Sequence, residues 1–152
     1  LRYNKDHILK EGDLLFNTRN TLDLVGKVAI WRNELSKALY NSNLLRLRFD
    51  PTVIVSNDFA NYYFNSTIGL RQLKSFAIGT TSVAAIYTRD LMRFKFVLPS
   101  TVEQQKITTI LSTWDKAISK TEELIAAKEQ FKKGLMQQLL TGQTRVEVEV
   151  EA

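Results

Sequence analysis

The side chains best suited to recognition chemistry fall in two polar clusters. Asn17, Thr18, Arg19 and Asn20 set amides beside a guanidinium, the groups whose paired hydrogen bonds match adenine and guanine edges in duplex DNA. Arg71, Gln72 and Lys74, followed by Thr80, Thr81 and Ser82, can donate to phosphates or bases. Each cluster also fits a plainer role. The first fits a solvated loop, and the second a turn at Gly79 whose neighbouring hydroxyls cap another element. The aromatic run Phe59, Tyr62, Tyr63 and Phe64 has faces on which bases can stack, but its helical spacing favours core packing.

Catalytic constellations are poorer. Cysteine is absent and His7 is the single histidine, which leaves no thiolate chemistry and no nitrogen–sulfur cluster for a metal. With no nucleophile evident beside it, His7 is expected as a surface or cap residue rather than a base. Acidic residues of the first hundred positions are scattered, with no paired spacing on one element to hold a divalent cation for phosphodiester hydrolysis. Glycine-rich phosphate loops, G-x-G-x-x-G and Asn-Pro-Pro-aromatic are all missing. The expectation is therefore a non-catalytic protein with no cofactor and no metal.

Charge is unevenly distributed along the 152 residues. Positions 1–100 carry 14 Lys and Arg against 8 Asp and Glu, a net of +6, and positions 101–152 carry 7 against 8, a net of −1. The positive excess belongs to the first hundred residues, and neutralising phosphates with it would release condensed counterions; a solvated basic surface gives the same composition. No run is long and apolar enough to span a bilayer, and the first residues lack a signal-peptide profile. A cytoplasmic protein without membrane association is expected, and the lack of an initiator Met suggests a truncated or processed chain.

The elements that must position these residues change period near residue 100. Before it come short β-prone runs: Leu14 to Phe16, Val25 to Trp31, Leu44 to Phe49, Val83 to Ile86 and Phe94 to Leu98. In the third, Leu45, Leu47 and Phe49 alternate with Arg46 and Arg48, which predicts a half-buried strand with its arginines outward. Short helices are predicted over 57–65, capped by Ser56 or Asn57, and over 67–77. After Pro99, the overlapping patterns Ser100-x-x-Glu103 and Thr101-x-x-Gln104 predict a helix start. From there Ile107, Leu111, Trp114, Ile118, Ile125, Leu135 and Leu139 form an apolar seam with steps of four and three, interrupted at Thr121, Lys128 and Lys132. One helix is expected from about 102 to 140, with Gly142 as a left-handed cap. Its stripe is too long for a domain of a hundred residues to cover, so pairing with a second helix is expected; folding back on its own domain is the alternative.

Two stretches resemble the specificity subunits of type I restriction-modification enzymes. Gly12-Asp-Leu-Leu-Phe-Asn-Thr-Arg-Asn-Thr21 with Val25-Gly-Lys-Val-Ala-Ile30 is similar to the strand, polar segment and strand of their target-recognition domains. The more specific match runs from Ile78-Gly-Thr-Thr-Ser82 through Leu91, Phe94 and Leu98-Pro99 into Glu103-Gln-Gln-Lys-Ile107, ending in Leu135-Met-Gln-Gln-Leu-Leu-Thr-Gly142. It resembles the join between such a domain and its conserved helical spacer. The resemblance covers about Leu9 to Gly142 and implies that the N-terminal portion of the recognition domain lies outside this chain.

The fold class implied is α+β, a truncated mixed α/β recognition domain followed by one long coiled-coil helix. The boundaries expected are 1–100 for the recognition domain, 101–142 for the spacer helix and 143–152 for a solvated tail. The resemblance further implies a subunit that reads double-stranded DNA and does no chemistry itself. Its partners would be methyltransferase subunits and, through them, restriction subunits, with the helix forming a homodimer or pairing with a second spacer. A coiled-coil adaptor without DNA binding is the competing expectation.

Overall fold

The computed structural model describes residues 5–147. Two compact units divide the chain, Leu1–Thr109 and Ile110–Ala152.

The first unit is built around a three-stranded antiparallel sheet with β1 (Leu14–Asn17) between β3 (Val28–Ile30) and β4 (Leu44–Leu47). Alternation assigns the two faces. Leu14 and Phe16 are fully buried, and across the ladder they oppose Leu47 and Leu45, so this face supplies the core. The opposite face carries Leu15 and Arg46. Arg46 does not point into solvent as the period-2 pattern predicts. Its side chain is 13% exposed, its guanidinium donates to Asp13 at 3.0 Å and to the carbonyls of Ile8 and Asp6, and it lies over the Tyr40 ring. The segment preceding β1 covers this face, so an arginine that reads as outward becomes the anchor of that cover. The carboxylate of Asp13 raises the guanidinium pKa further above its ordinary value, partly offset by burial.

A second, smaller sheet has the order β2 (Arg19–Asn20), β6 (Ala84–Ala85), β5 (Ile78–Gly79). Gly79 is required at its turn. It sits at φ 141°, and a Cβ there would meet the Val83 carbonyl oxygen at 2.2 Å.

Helices α1 (Asn57–Asn65) and α2 (Thr67–Phe76) share Ser66, which ends one and caps the other. Ser56 Oγ accepts from the Phe59 amide and Ser66 Oγ from the Gly69 amide, each satisfying a donor with no intrahelical partner. Phe59, Ala60 and Phe64 from α1 and Leu73 from α2 join Leu14, Phe16 and Ile86 in the core. Tyr63 packs against that core only partly buried, so Phe59, Tyr63 and Phe64 are structural.

The expected strand over 94–98 does not form. Phe94 and Phe96 do alternate inward, packing on Phe64, Tyr63 and Phe49. The backbone of the alternating Lys95 and Val97 is nevertheless bonded by side chains and not by a neighbouring strand. Lys95 N donates to Gln72 Oε1, Gln72 Nε2 donates to Lys95 O, and Val97 N donates to the Tyr63 hydroxyl. After the one-turn helix α3 (Thr88–Leu91), the chain runs along these helices, where side chains satisfy its polar groups.

Helix α4 covers Thr101–Leu140. Ser100 Oγ accepts from the Glu103 amide, and Gly142 ends the helix at φ 74° with Thr144 N donating to Gln138 O, the left-handed cap that its position predicts. Within the first unit, Gln104 is 1% exposed and Ile107 packs against the core. In the second unit Leu111, Trp114, Ile118, Ile125, Leu135 and Leu139 are all exposed. Residues 143–147 are also exposed, and the end of the tail, 148–152, lies outside the described residues.

Candidate nucleic-acid interface

Sequence reasoning treats Asn17 to Asn20 as one loop, but the chain bends there from one sheet to the other. Asn17 ends β1, and Arg19–Asn20 form β2 against β6. Thr18 is the junction. Its amide and its hydroxyl both donate to the Asn43 carbonyl at 2.8 Å, and its own carbonyl accepts from Ile86 N at 2.9 Å. Three segments far apart in sequence are thereby tied at one residue.

Between them lies a cleft of about 400 Å³ lined by Arg19, Ser42, Asn43, Ala85, Tyr87 and Thr88, among others. Its lining brings hydroxyl, amide and guanidinium groups together with the apolar Leu44, Leu45, Ala85 and Ile86. The cluster at the other end of β6 adjoins the same strand. Leu22 N donates to Thr81 O, and Thr80 N donates to Val83 O, so Thr80, Thr81 and Ser82 form the tip of the β5–β6 hairpin beside the chain leaving β2.

The predicted contact residues have different positions and duties. Arg19 is exposed and, like Arg48, Arg71 and Arg145, makes no ion pair with any described residue, whereas Arg32, Arg46, Arg89 and Arg93 each face a carboxylate; Arg19 alone of the unpaired four lines the cleft. The Thr18 hydroxyl is bound to backbone, Asn20 Oδ1 accepts from Thr21 N, and Asn17 Oδ1 is buried with no partner among the described residues. Arg71 and Lys74 are exposed on α2, away from its buried Gly69 and Leu73, and nothing places them in the cleft. Gln72 spends both ends of its amide on Lys95. The structure thus joins the first cluster to Thr80–Ser82 through one small sheet and leaves Arg71 and Lys74 on a separate surface.

Ser42, Asn43, Tyr87 and Thr88 escaped the sequence reading. Strands of two residues carry no periodicity, and the β2–β6 pairing that builds the cleft spans more than sixty positions. A tyrosine directly after the apolar run Val83 to Ile86 was the available signal.

Among the described residues no group of three His, Asp or Glu could hold a metal ion, and no helix is long and apolar enough to cross a membrane. The cleft and the neighbouring hairpin tip thus present guanidinium, amide and hydroxyl groups able to hydrogen-bond. The family follows from comparison: residues 1–129 match the type I restriction modification DNA specificity domain, and the chain belongs to that family. It is also 31% identical over 130 residues to the type I restriction enzyme MjaX specificity subunit of Methanocaldococcus jannaschii. That alignment covers 86% of this chain and 30% of the relative, so the chain spans less than a third of the relative's length.

Proposed function

We propose that this chain recognises a specific sequence in double-stranded DNA as the specificity component of a type I restriction-modification enzyme. Methyltransferase subunits, and through them restriction subunits, would carry out the chemistry. The carrying observation is Arg19, exposed without an ion pair in a cleft whose walls are fixed by backbone bonds, in a chain of the DNA specificity family. The exposed seam of α4 from Leu111 to Leu139 supports its pairing with a second helix and the docking of methyltransferase subunits. The division of labour proposed is recognition over 1–100 and spacing over 101–142.

The test is selection of a target from randomised duplex DNA by the intact protein with its methyltransferase partner, followed by titration of Arg19→Ala. Pairing with a guanine edge predicts a loss of about 1 to 3 kcal/mol on the selected site, with little change on random DNA or in the salt slope. Equal loss on both would move Arg19 to a phosphate contact. Failure to enrich any sequence would overturn the reading.

A further inference from the structure

The outward face of the smaller sheet brings Tyr87 and Ala85 to the same side as Arg19. Along β6 and just beyond it the burial alternates: Ala84 is fully buried, Ala85 partly, Ile86 is 2% exposed and Tyr87 is 52% exposed. With a period of two, Ala85 and Tyr87 share the face opposite the core. Arg19 is the register partner of Ala85, so it stands on that face as well, directly across from Ala85 and diagonal to Tyr87. All three line the same cleft.

Tyr87 is held in place by its backbone. Its carbonyl accepts from Asp90 N and Leu91 N at 2.9 Å at the start of α3, and its side chain makes no capping bond there. An aromatic ring kept half exposed on a fixed backbone, beside Ala85 and on the same face as Arg19, offers apolar and polar contact to adjacent base pairs. In the major groove the apolar group open to such contact is the thymine C5-methyl, and the acceptor pair that fits a guanidinium is guanine O6 and N7.

We propose that Tyr87, together with Ala85, is a specificity-determining contact for the C5-methyl of a thymine adjacent to the guanine that Arg19 reads. This rests on the reading of the chain as a DNA-recognition module. The guanine is the position at which Arg19→Ala relaxes the sequence selected from randomised duplex. In that target, deoxyuridine replaces the neighbouring thymine, which removes one methyl, and 7-deazaguanine separately replaces the guanine, which removes N7.

Wild-type protein is expected to lose about fourfold in affinity with deoxyuridine, the worth of one buried methyl, and about tenfold with 7-deazaguanine. Tyr87→Ser should lose the deoxyuridine effect and keep the 7-deazaguanine effect. Tyr87→Leu, which retains an apolar surface and guards against a general disturbance of the cleft, should keep part of the deoxyuridine effect. Specific binding with no thymine beside that guanine, no cost of deoxyuridine, or an undiminished cost in Tyr87→Ser would overturn the assignment of Tyr87 and leave DNA recognition standing. If no sequence is enriched at all, DNA recognition itself fails and this inference with it.

Discussion

Gln104 shows how much one buried amide can hold in this protein. Its Oε1 accepts from Val55 N, and its Nε2 donates to the carbonyls of Val53 and Pro99, so the turn over 51–55 and the residue before Ser100 are gripped by the first turn of α4. Gln104→Leu keeps most of the volume and removes every bond. Leaving a buried N–H and carbonyls unpaired is expected to cost about 1 to 3 kcal/mol, read as a lower urea midpoint with an unchanged slope. Wild-type stability in that variant would refute the clamp. The gripped turn also has a titrating residue at its start. Thr52 donates to Asp50 through both hydroxyl and amide, which lowers the carboxylate pKa below its ordinary value. The folded-state value being the lower one, the stabilisation is fully present above about pH 4 and fades as pH falls through the lowered value. Asp50→Asn should therefore narrow its stability gap to wild type as a denaturation series moves from pH 7 toward pH 3. A gap that is constant or widens on acidification would show that the carboxylate does not stabilise the turn.

At the level of elements, the readable features were those whose stabilising groups are local. The capped starts of α1 and α4, the end of α4 at Gly142 and the strand character of β1 and β4 all follow from spacing of a few residues. What the sequence concealed depends on distant partners. Phe94 and Phe96 alternate as a strand would, yet Gln72 satisfies the backbone of Lys95 between them and Tyr63 that of Val97 beyond. Arg46 looks solvent-facing until Asp13 and the Ile8 carbonyl close over it. The candidate cleft was half legible for the same reason. Thr18 and Arg19 stand out by composition, whereas Asn43 and Tyr87 enter it only through Thr18 and β6. The apolar stripe of α4 belongs to the readable class, with one change: Ile107 packs on the core of the first unit, so the exposed seam begins at Leu111. Pairing through this seam predicts self-association at tens of micromolar. Replacing Leu111 and Ile118 by Glu, which would bury two charges against a partner helix at a cost of several kcal/mol, should give monomer in sedimentation equilibrium. Wild type that is already monomeric at that concentration would exclude pairing with a second copy.

At the level of the whole molecule, the proposed function makes α4 a ruler. With 40 residues at about 1.5 Å each it is roughly 60 Å long. In an antiparallel pair of such helices, the distance between two recognition units would be set by helix length, and the distance between the half-sites they read would follow. One heptad inserted after Lys120 keeps the seam in phase and lengthens each helix by roughly 10 Å. Since DNA advances about 3.4 Å per base pair, the preferred gap between half-sites should grow by about three base pairs. The added base pairs also turn one half-site around the duplex axis by roughly a quarter turn or more, at about 10 base pairs per turn, so affinity can fall even at the matching gap. The decisive observable is thus the gap preferred by the full assembly in a selection from duplexes of randomised spacing. A folded heptad variant that retains the wild-type gap would show that α4 joins two recognition units without measuring the distance between them.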